Sequence, residues 1–343
     1  AASLGYDTIV NLLLNHKDKD KVKDIKINLQ TKYGHSALIL AAAKGHDQVV
    51  ELLVDHKNID INLQNTNKES ALILAAERGY DLIVNLLLKH EAINTNLQDK
   101  NGNSALILAA AKGHDQVVKW LLKNTGIDIN LQNKNGISAL IWAAQQGHTQ
   151  VVEVLLQHNS TVDLQDYQGN SALIWAAKQG RYQVVDMLLK NNSTVDLQTE
   201  NGSSALIWAA FNGHTQVVEV LLQHNSTVDL QTENGNSALI WAAQQGHTQI
   251  VDLLLKNNST VDLQNKIGDS ALILAAAEGH TRIVELLLQK NSTVDLQNKN
   301  GDSALILANN RGHTNIMNML VTAGAVLNTK IKDDDDGGDD DDD

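Results

Sequence analysis

Apolar and polar positions along this chain fall into two short helical patterns joined by a Gly-His step, and the motif returns every 33 or 34 residues. The Ser that opens each "SALI" stands at 36, 70, 104, 138, 171, 204, 237, 270 and 303. Residues 133–165 serve as the type unit. "NKNG" is a turn signal in which Gly136 supplies the positive φ. Ser138 is placed to cap a helix, "SALIWAAQQ", that Gly147 ends. "HTQVVEVLLQH" predicts a second helix whose apolar positions, Val151, Val152, Val154, Leu155 and Leu156, form a stripe too broad for one-sided burial. Asn159 falls where that helix must turn left-handed, and "STVDLQ" leads extended into the next turn.

Nine full units follow this plan. Upstream, "GYDTIVNLLLNH" is the second half of another, followed by a lysine- and aspartate-rich insertion near Lys17–Asp24. Two helices and a hairpin-like turn at this period are the ankyrin signature. On the turn Gly, the "AA" pair, the "GH" at the helix junction and the "VVEVLL" second helix, the chain resembles the ankyrin-repeat family over residues 1 to about 329. It departs from the family by Ser-Ala-Leu-Ile in place of Thr-Pro-Leu-His, and by Asn in place of Gly after the later second helices. Loss of that Pro and His removes a helix-start restraint and a hydrogen-bond network between repeats, which Ile packing and the Ser cap are expected to replace. The resemblance implies an all-α ankyrin-repeat solenoid at 1–329, followed by an acidic tail at 330–343. It also implies a concave groove, lined by the first helices and the turn tips, in which protein partners bind.

Composition sharpens this picture in a few places. Pro is absent, which helices tolerate and loop-rich enzymes do less well. With no Cys there are no disulfides, thiolate metal sites or Cys nucleophiles. No apolar run approaches the ~20 residues a membrane span needs, and "AASLGYDTIV" carries neither a signal-peptide pattern nor an initiator Met. Of the net charge of −13, nine charges are the Asp residues of the tail, leaving −4 on the body. That body has neither the footprint expected for nucleic acid nor the basic face expected for anionic membranes. The tail itself reads as solvated.

Little in the sequence carries reaction chemistry. Seven His (46, 114, 148, 214, 247, 280, 313) follow the Gly between the helices, and regular recurrence invites a metal reading. Adjacent copies would stand ~10 Å apart, one helix-packing distance, whereas zinc–imidazole bonds are ~2.0–2.1 Å. These His therefore read as structural, helping to start the second helix, and His158 and His224 as compensators of a helix dipole. No nucleophile–base pair, phosphate loop or metalloprotease motif is visible, so a non-catalytic protein with no metal and no cofactor is expected. "NST" recurs at Asn159, Asn192, Asn225, Asn258 and Asn291. As caps, these Asn take the left-handed turn while Ser and Thr satisfy loop backbone groups. As N-glycosylation acceptors, they would line one edge of a secreted array. An intracellular, cytoplasmic chain is the first reading and the secreted one the alternative.

The middle repeats differ from their siblings at one position: Trp142, Trp175, Trp208 and Trp241 replace the Leu of Leu40, Leu74, Leu108, Leu274 and Leu307. At 100° per residue, with Leu140 at 0°, Trp142 lies near ~200°, on the polar side with Gln145 and Gln146. Two readings stand: a larger filler against the neighbouring repeat, or a rung exposed in the groove. In the second, rungs ~10 Å apart cannot stack directly, since aromatic pairs need centroids at ~4.5–7 Å. Partner side chains would enter the gaps. Gln145, Lys178, Phe211 and Gln244 follow one turn later, and Tyr167, Glu200 and Glu233 sit at the tips. The leading expectation is a scaffold that binds a protein or peptide through this Trp ladder. The alternative is self-assembly through the apolar face of Ile9, Leu12 and Leu13, with the opposite end capped by Asn309, Asn310 and Arg311.

Overall fold

The computed structural model describes residues 1–15 and 26–326. The insertion at Lys17–Asp24 and the acidic tail lie outside them. Nineteen α-helices are present among the described residues. The first, Asp7–Asn15, stands without a partner helix of its repeat, and the other eighteen form nine antiparallel-type pairs at the period read from the sequence. The chain divides into two compact units, residues 1–226 with the lone helix and six pairs, and residues 227–343 with three pairs.

Each first helix starts where a Ser can replace the missing intrahelical acceptor. Ser138 Oγ accepts from Ile141 N at 3.3 Å, and the same bond forms at all nine copies, from Ser36 to Ser303. Within the first unit the helix Ala139–Gln146 packs on Ala105–Lys112 before it and Ala172–Lys178 after it. The small Ala pair makes that approach close: Ala143 and Ala144 are completely buried, and Leu140 and Ile141 fill the space beside them. The second helix buries Val151, Val152, Val154 and Leu155. Each such aliphatic side chain contributes ~1.5–3 kcal/mol when removed from water.

Polar ladders join successive repeats, in addition to the Ile packing and Ser cap that were expected to replace the lost network. Within the first unit, Gln30, Gln64, Gln98, Gln132 and Gln165 each donate Nε2 to the backbone oxygen of the next repeat's Gln, at 2.9–3.1 Å. Within the second unit, Gln231 and Gln264 repeat the arrangement at 3.1 and 3.0 Å. The same amides also hold their own hairpins closed, as Gln165 does through Gly169 O.

The helix-junction His are a second correction. Their side chains cap nothing at the second helix. The ring reaches back instead: His148 Nε2 donates to Ala111 O at 3.2 Å and His214 Nε2 to Lys178 O at 3.1 Å, each in the preceding repeat. This explains the Gly that precedes the next junction back. A Cβ on Gly113 would stand 2.7 Å from His148 Nδ1, and the residue also holds φ +76. Where Arg181 replaces His, its Nε bonds Gln145 O at 3.3 Å and its stem covers Gly147. His158 and His224 do sit at helix ends, with Nδ1 2.8 Å from Val154 O and 2.9 Å from Val220 O.

The NST segments show the expected left-handed turn, with φ of 60–63° at Asn159, Asn192, Asn225, Asn258 and Asn291. Their hydroxyls do other work than anticipated. Ser193 Oγ donates to Asp163 of the preceding repeat at 3.0 Å, Ser259 Oγ to Asp229 at 2.9 Å and Ser292 Oγ to Asp262 at 2.8 Å. In the earlier repeats Asn takes this place, as where Asn62 Oδ1 accepts from Asn94 N.

Candidate functional site

The first-helix position that carries Trp lies at the boundary between core and surface. Trp142, Trp175, Trp208 and Trp241 are all half-buried. So are Leu40, Leu108, Leu274 and Leu307, while Leu74 is buried. A boundary position given a larger side chain gains area on both sides: part of each indole seals the repeat and part stays accessible.

The first unit brings together one cluster. Trp175 Nε1 donates to Asp166 Oδ2 at 2.8 Å, which ties the helix face to the hairpin of the same repeat. Asp166 is only 7% exposed, and its other oxygen accepts from Gln168 N and Asn170 N at 3.0 and 2.8 Å. One turn past Trp175, Lys178 extends its ammonium across the inter-repeat gap, 5.0 Å from the Trp175 ring centroid and 3.9 Å from that of Trp208. Phe211 meets Trp208 edge-on, with centroids 6.0 Å apart at 89°. The gap between these two rungs is therefore filled by the chain's own lysine, not left open as the spacing suggested. Burial pushes the Lys178 ammonium below the ordinary lysine range, and the nearby Asp166 charge partly restores it. The two ring faces favour the same cation.

The remaining expected residues surround this cluster or lie apart from it. Gln145 is half-buried with its side-chain oxygen buried and without a hydrogen-bond donor. Tyr167 is 67% exposed at its tip, where its ring crosses the space a Gly136 side chain would need. Glu200 is exposed at the next tip, its N–H donating to Gln168 O at 3.1 Å. Trp241, Gln244 and Glu233 belong to the second unit. There Trp241 and Gln244 are half-buried, Glu233 is exposed, and the Gln244 backbone oxygen accepts from His280 Nε2 at 3.0 Å.

Asp166 is the residue the sequence reading missed. The signal was present: nine residues before each Trp stand Asn133, Asp166, Thr199 and Thr232, and Asp is the one strong acceptor among them. Its absence at 199 matters, because Trp208 Nε1 is buried with no hydrogen-bond partner. A fifth tryptophan was also passed over. Trp120, on the second helix Asp115–Leu122, is half-buried with Lys123 Nζ 4.1 Å above its ring. Among the described residues there is no group of three or more His, Asp or Glu able to hold a metal, and no helix long and apolar enough to cross a membrane.

A family model of ankyrin repeats, three copies long, matches the chain over residues 1–92, 57–133, 125–199, 191–265 and 246–331. Comparison with curated proteins returns no match.

Proposed function

The chain belongs to the ankyrin-repeat family, whose members are in general protein–protein interaction modules and typically non-catalytic, and on that premise we propose that it recognises a protein or peptide through its tryptophan face. In the first unit Trp142, Trp175 and Trp208 are the anchors, Gln145, Lys178 and Phe211 the flanking contacts, and Tyr167 and Glu200 the rim; in the second unit Trp241, Gln244 and Glu233 take the same roles. The observation that carries this reading is the half-exposed Trp175–Lys178–Trp208–Phe211 cluster, fixed in place by Asp166. Indoles already held in one orientation lose little entropy on binding, and Trp is enriched among the residues that dominate interfaces. Each can bury ~150–250 Å², a substantial part of a ~1,600 Å² interface.

The test is affinity capture on the wild-type chain and on the Trp142→Ala, Trp175→Ala, Trp208→Ala, Trp241→Ala protein side by side. Proteins retained by the first and lost by the second, at unchanged helical content by circular dichroism, are the expected result. Equal retention would sink the reading.

A second reading draws on the first fifteen residues. Leu4, Ile9, Leu12 and Leu13 are exposed there, Leu12 at 68%, around a cavity of 360 Å³ lined by Val10, Leu14, Ile27, Leu40 and Leu53. Such a face supports end-on self-association. Electron microscopy of dilute protein decides it: fibres or chains of particles favour assembly, and monodisperse particles exclude it.

A further inference from the structure

The groove side of the first unit changes chemistry along its length. The residue just before the Gly that closes the first helix is Lys44, Arg78 and Lys112 in the first three full repeats, then Gln146, Gln179 and Asn212. The leading residue of the hairpin tip is Lys32, Lys100 and Lys134 in three of the first four repeats, then Tyr167 and Glu200. All six cations are exposed.

They form two files. Tip residues follow one another because each hairpin bonds to the last: Lys100 N donates to Asn67 O at 2.9 Å, Lys134 N to Asn101 O at 3.0 Å and Tyr167 N to Asn135 O at 3.1 Å. The helical cations stand one turn beyond Leu40, Leu74 and Leu108, the register of the tryptophans, on first helices that pack against one another. The Trp175–Asp166 bond shows that this helix face abuts the hairpins, so the two files border one trough.

Local structure accounts for part of this charge, since Lys32 Nζ lies 4.8 Å from the ring centroid of its neighbour Tyr33. A cation at a helix C-terminus meets the dipole favourably, but that does not apply to the tips. Among the described residues none of the six makes an ion pair. Of the carboxylates nearby, Asp99 accepts from its own hairpin at Asn101 N and Glu69 accepts from Asn65 Nδ2. Four acidic side chains of these repeats, Asp47, Glu51, Asp81 and Asp115, lie on the second helices. Repeat steps of ~10 Å match the Debye length of ~10 Å at 0.1 M salt, so neighbouring cations reinforce one another at low ionic strength.

We propose that this cationic strip holds an acidic segment of a polypeptide partner, which continues at Lys134 into the repeat of Trp142 and meets the tryptophans with an apolar segment. The proposal rests on the groove reading above and adds the chemistry and polarity of the bound chain.

The test uses fluorescence anisotropy with three labelled twelve-residue peptides on one Gly/Ser frame carrying eight Glu, eight Gln or eight Lys. The Glu peptide is expected to bind the wild-type chain at least tenfold more tightly than the Gln peptide at 50 mM salt, and to lose that advantage at 0.5 M. It should lose at least tenfold on the Lys44→Glu, Lys100→Glu, Lys112→Glu, Lys134→Glu protein. It should stay within threefold of wild type on Lys57→Glu, Lys89→Glu, Lys123→Glu, Lys190→Glu, which carries the same charge change at the ends of second helices. Equal binding of the Glu and Gln peptides, or equal loss in both variants, would overturn the proposal. So would a single-stranded RNA twelve-mer that binds the strip as tightly as the Glu peptide, since the site would then take any polyanion. The Trp-to-Ala protein is run in the same series and should keep the Glu peptide. Strip failure with Trp-dependent capture intact removes this proposal alone, and the reverse pattern removes the tryptophan reading alone.

Discussion

Trp175 and Trp208 stand in the same seven-residue word, "SALIWAA", one repeat apart, on helices with the same Ser cap. Their surroundings differ. The Trp175 N–H is bonded to Asp166 at 2.8 Å, whereas the Trp208 N–H is buried without an acceptor, because residue 199 is Thr and its hydroxyl is engaged with Asn201 Oδ1 at 2.6 Å. Lys178 lies nearer the unsatisfied ring than the satisfied one, at 3.9 against 5.0 Å. In a near-identical array, the character of a rung is thus set by residues outside its own helix: one in the hairpin before it and one on the repeat that precedes it. Duplicated sequence does not give duplicated sites.

The largest effect expected from this difference comes from Asp166→Ala. It strands the buried Asn170 N–H together with the half-buried Trp175 N–H and the exposed hairpin N–H of Gln168, and an unmet buried donor costs ~1–3 kcal/mol. A loss of about 3 kcal/mol in urea denaturation follows, and a loss under ~0.5 kcal/mol would break the comparison at its root. The converse change, Thr199→Asp, offers Trp208 the acceptor that Trp175 has. A gain of about 1 kcal/mol is expected. A neutral or destabilising outcome would mean that the hairpin at 199 cannot adopt the geometry seen at 166.

Lys178 sharpens the comparison through pH. Its folded-state pKa is lowered, chiefly by burial. Over the window between that lowered value and the ordinary lysine value the unfolded chain binds the proton and the folded chain does not, so stability rises with pH through the window. Lys178→Met should flatten that rise, and NMR of ¹³C-labelled lysine should find this ammonium titrating below the ordinary range.

The smallest effect belongs to a repeat with Leu in the rung position. Asp115 and Lys119 form an i,i+4 pair at 3.0 Å, and the Lys119 hydrogen bond lowers the Asp115 pKa. Both side chains are close to half exposed, so Asp115→Asn should cost only ~0.3–0.5 kcal/mol. That contribution is present above the ordinary aspartate range and disappears as pH falls through the lowered folded value. If this surface pair proved worth as much as Asp166, burial would not be what distinguishes the tryptophan cluster.

Much of the fold was legible because the repeat presents its signals five to nine times over. Ser at the first-helix cap, Gly or Asn at left-handed turns and the Ala pair between helices are local requirements, and each was found where the sequence placed it. The helix wheel also set Leu140 opposite the polar side, and Leu140 is buried. Less legible was anything joining residues about thirty positions apart. The Gln ladder, the His rings lying over the preceding Gly and the Ser193–Asp163 bond pair side chains across repeats. No periodicity within one helix reveals such pairs. Of the candidate cluster, the contacts of Lys178 with Trp175 and of Phe211 with Trp208 follow from the sequence, since i and i+3 share a helix face. The contact of Asp166 does not, because its link to Trp175 runs from hairpin to helix.

The sequence by itself therefore determined the repeat, the family and the helix faces, all consequences of short-range geometry and of side-chain burial at a fixed period. The tertiary structure decided how each tryptophan is held. Placement of a lysine between two indoles depends on how adjacent repeats dock, and that of a carboxylate beneath one of them on how a hairpin folds onto its own helix; both bring together residues that no helix periodicity connects.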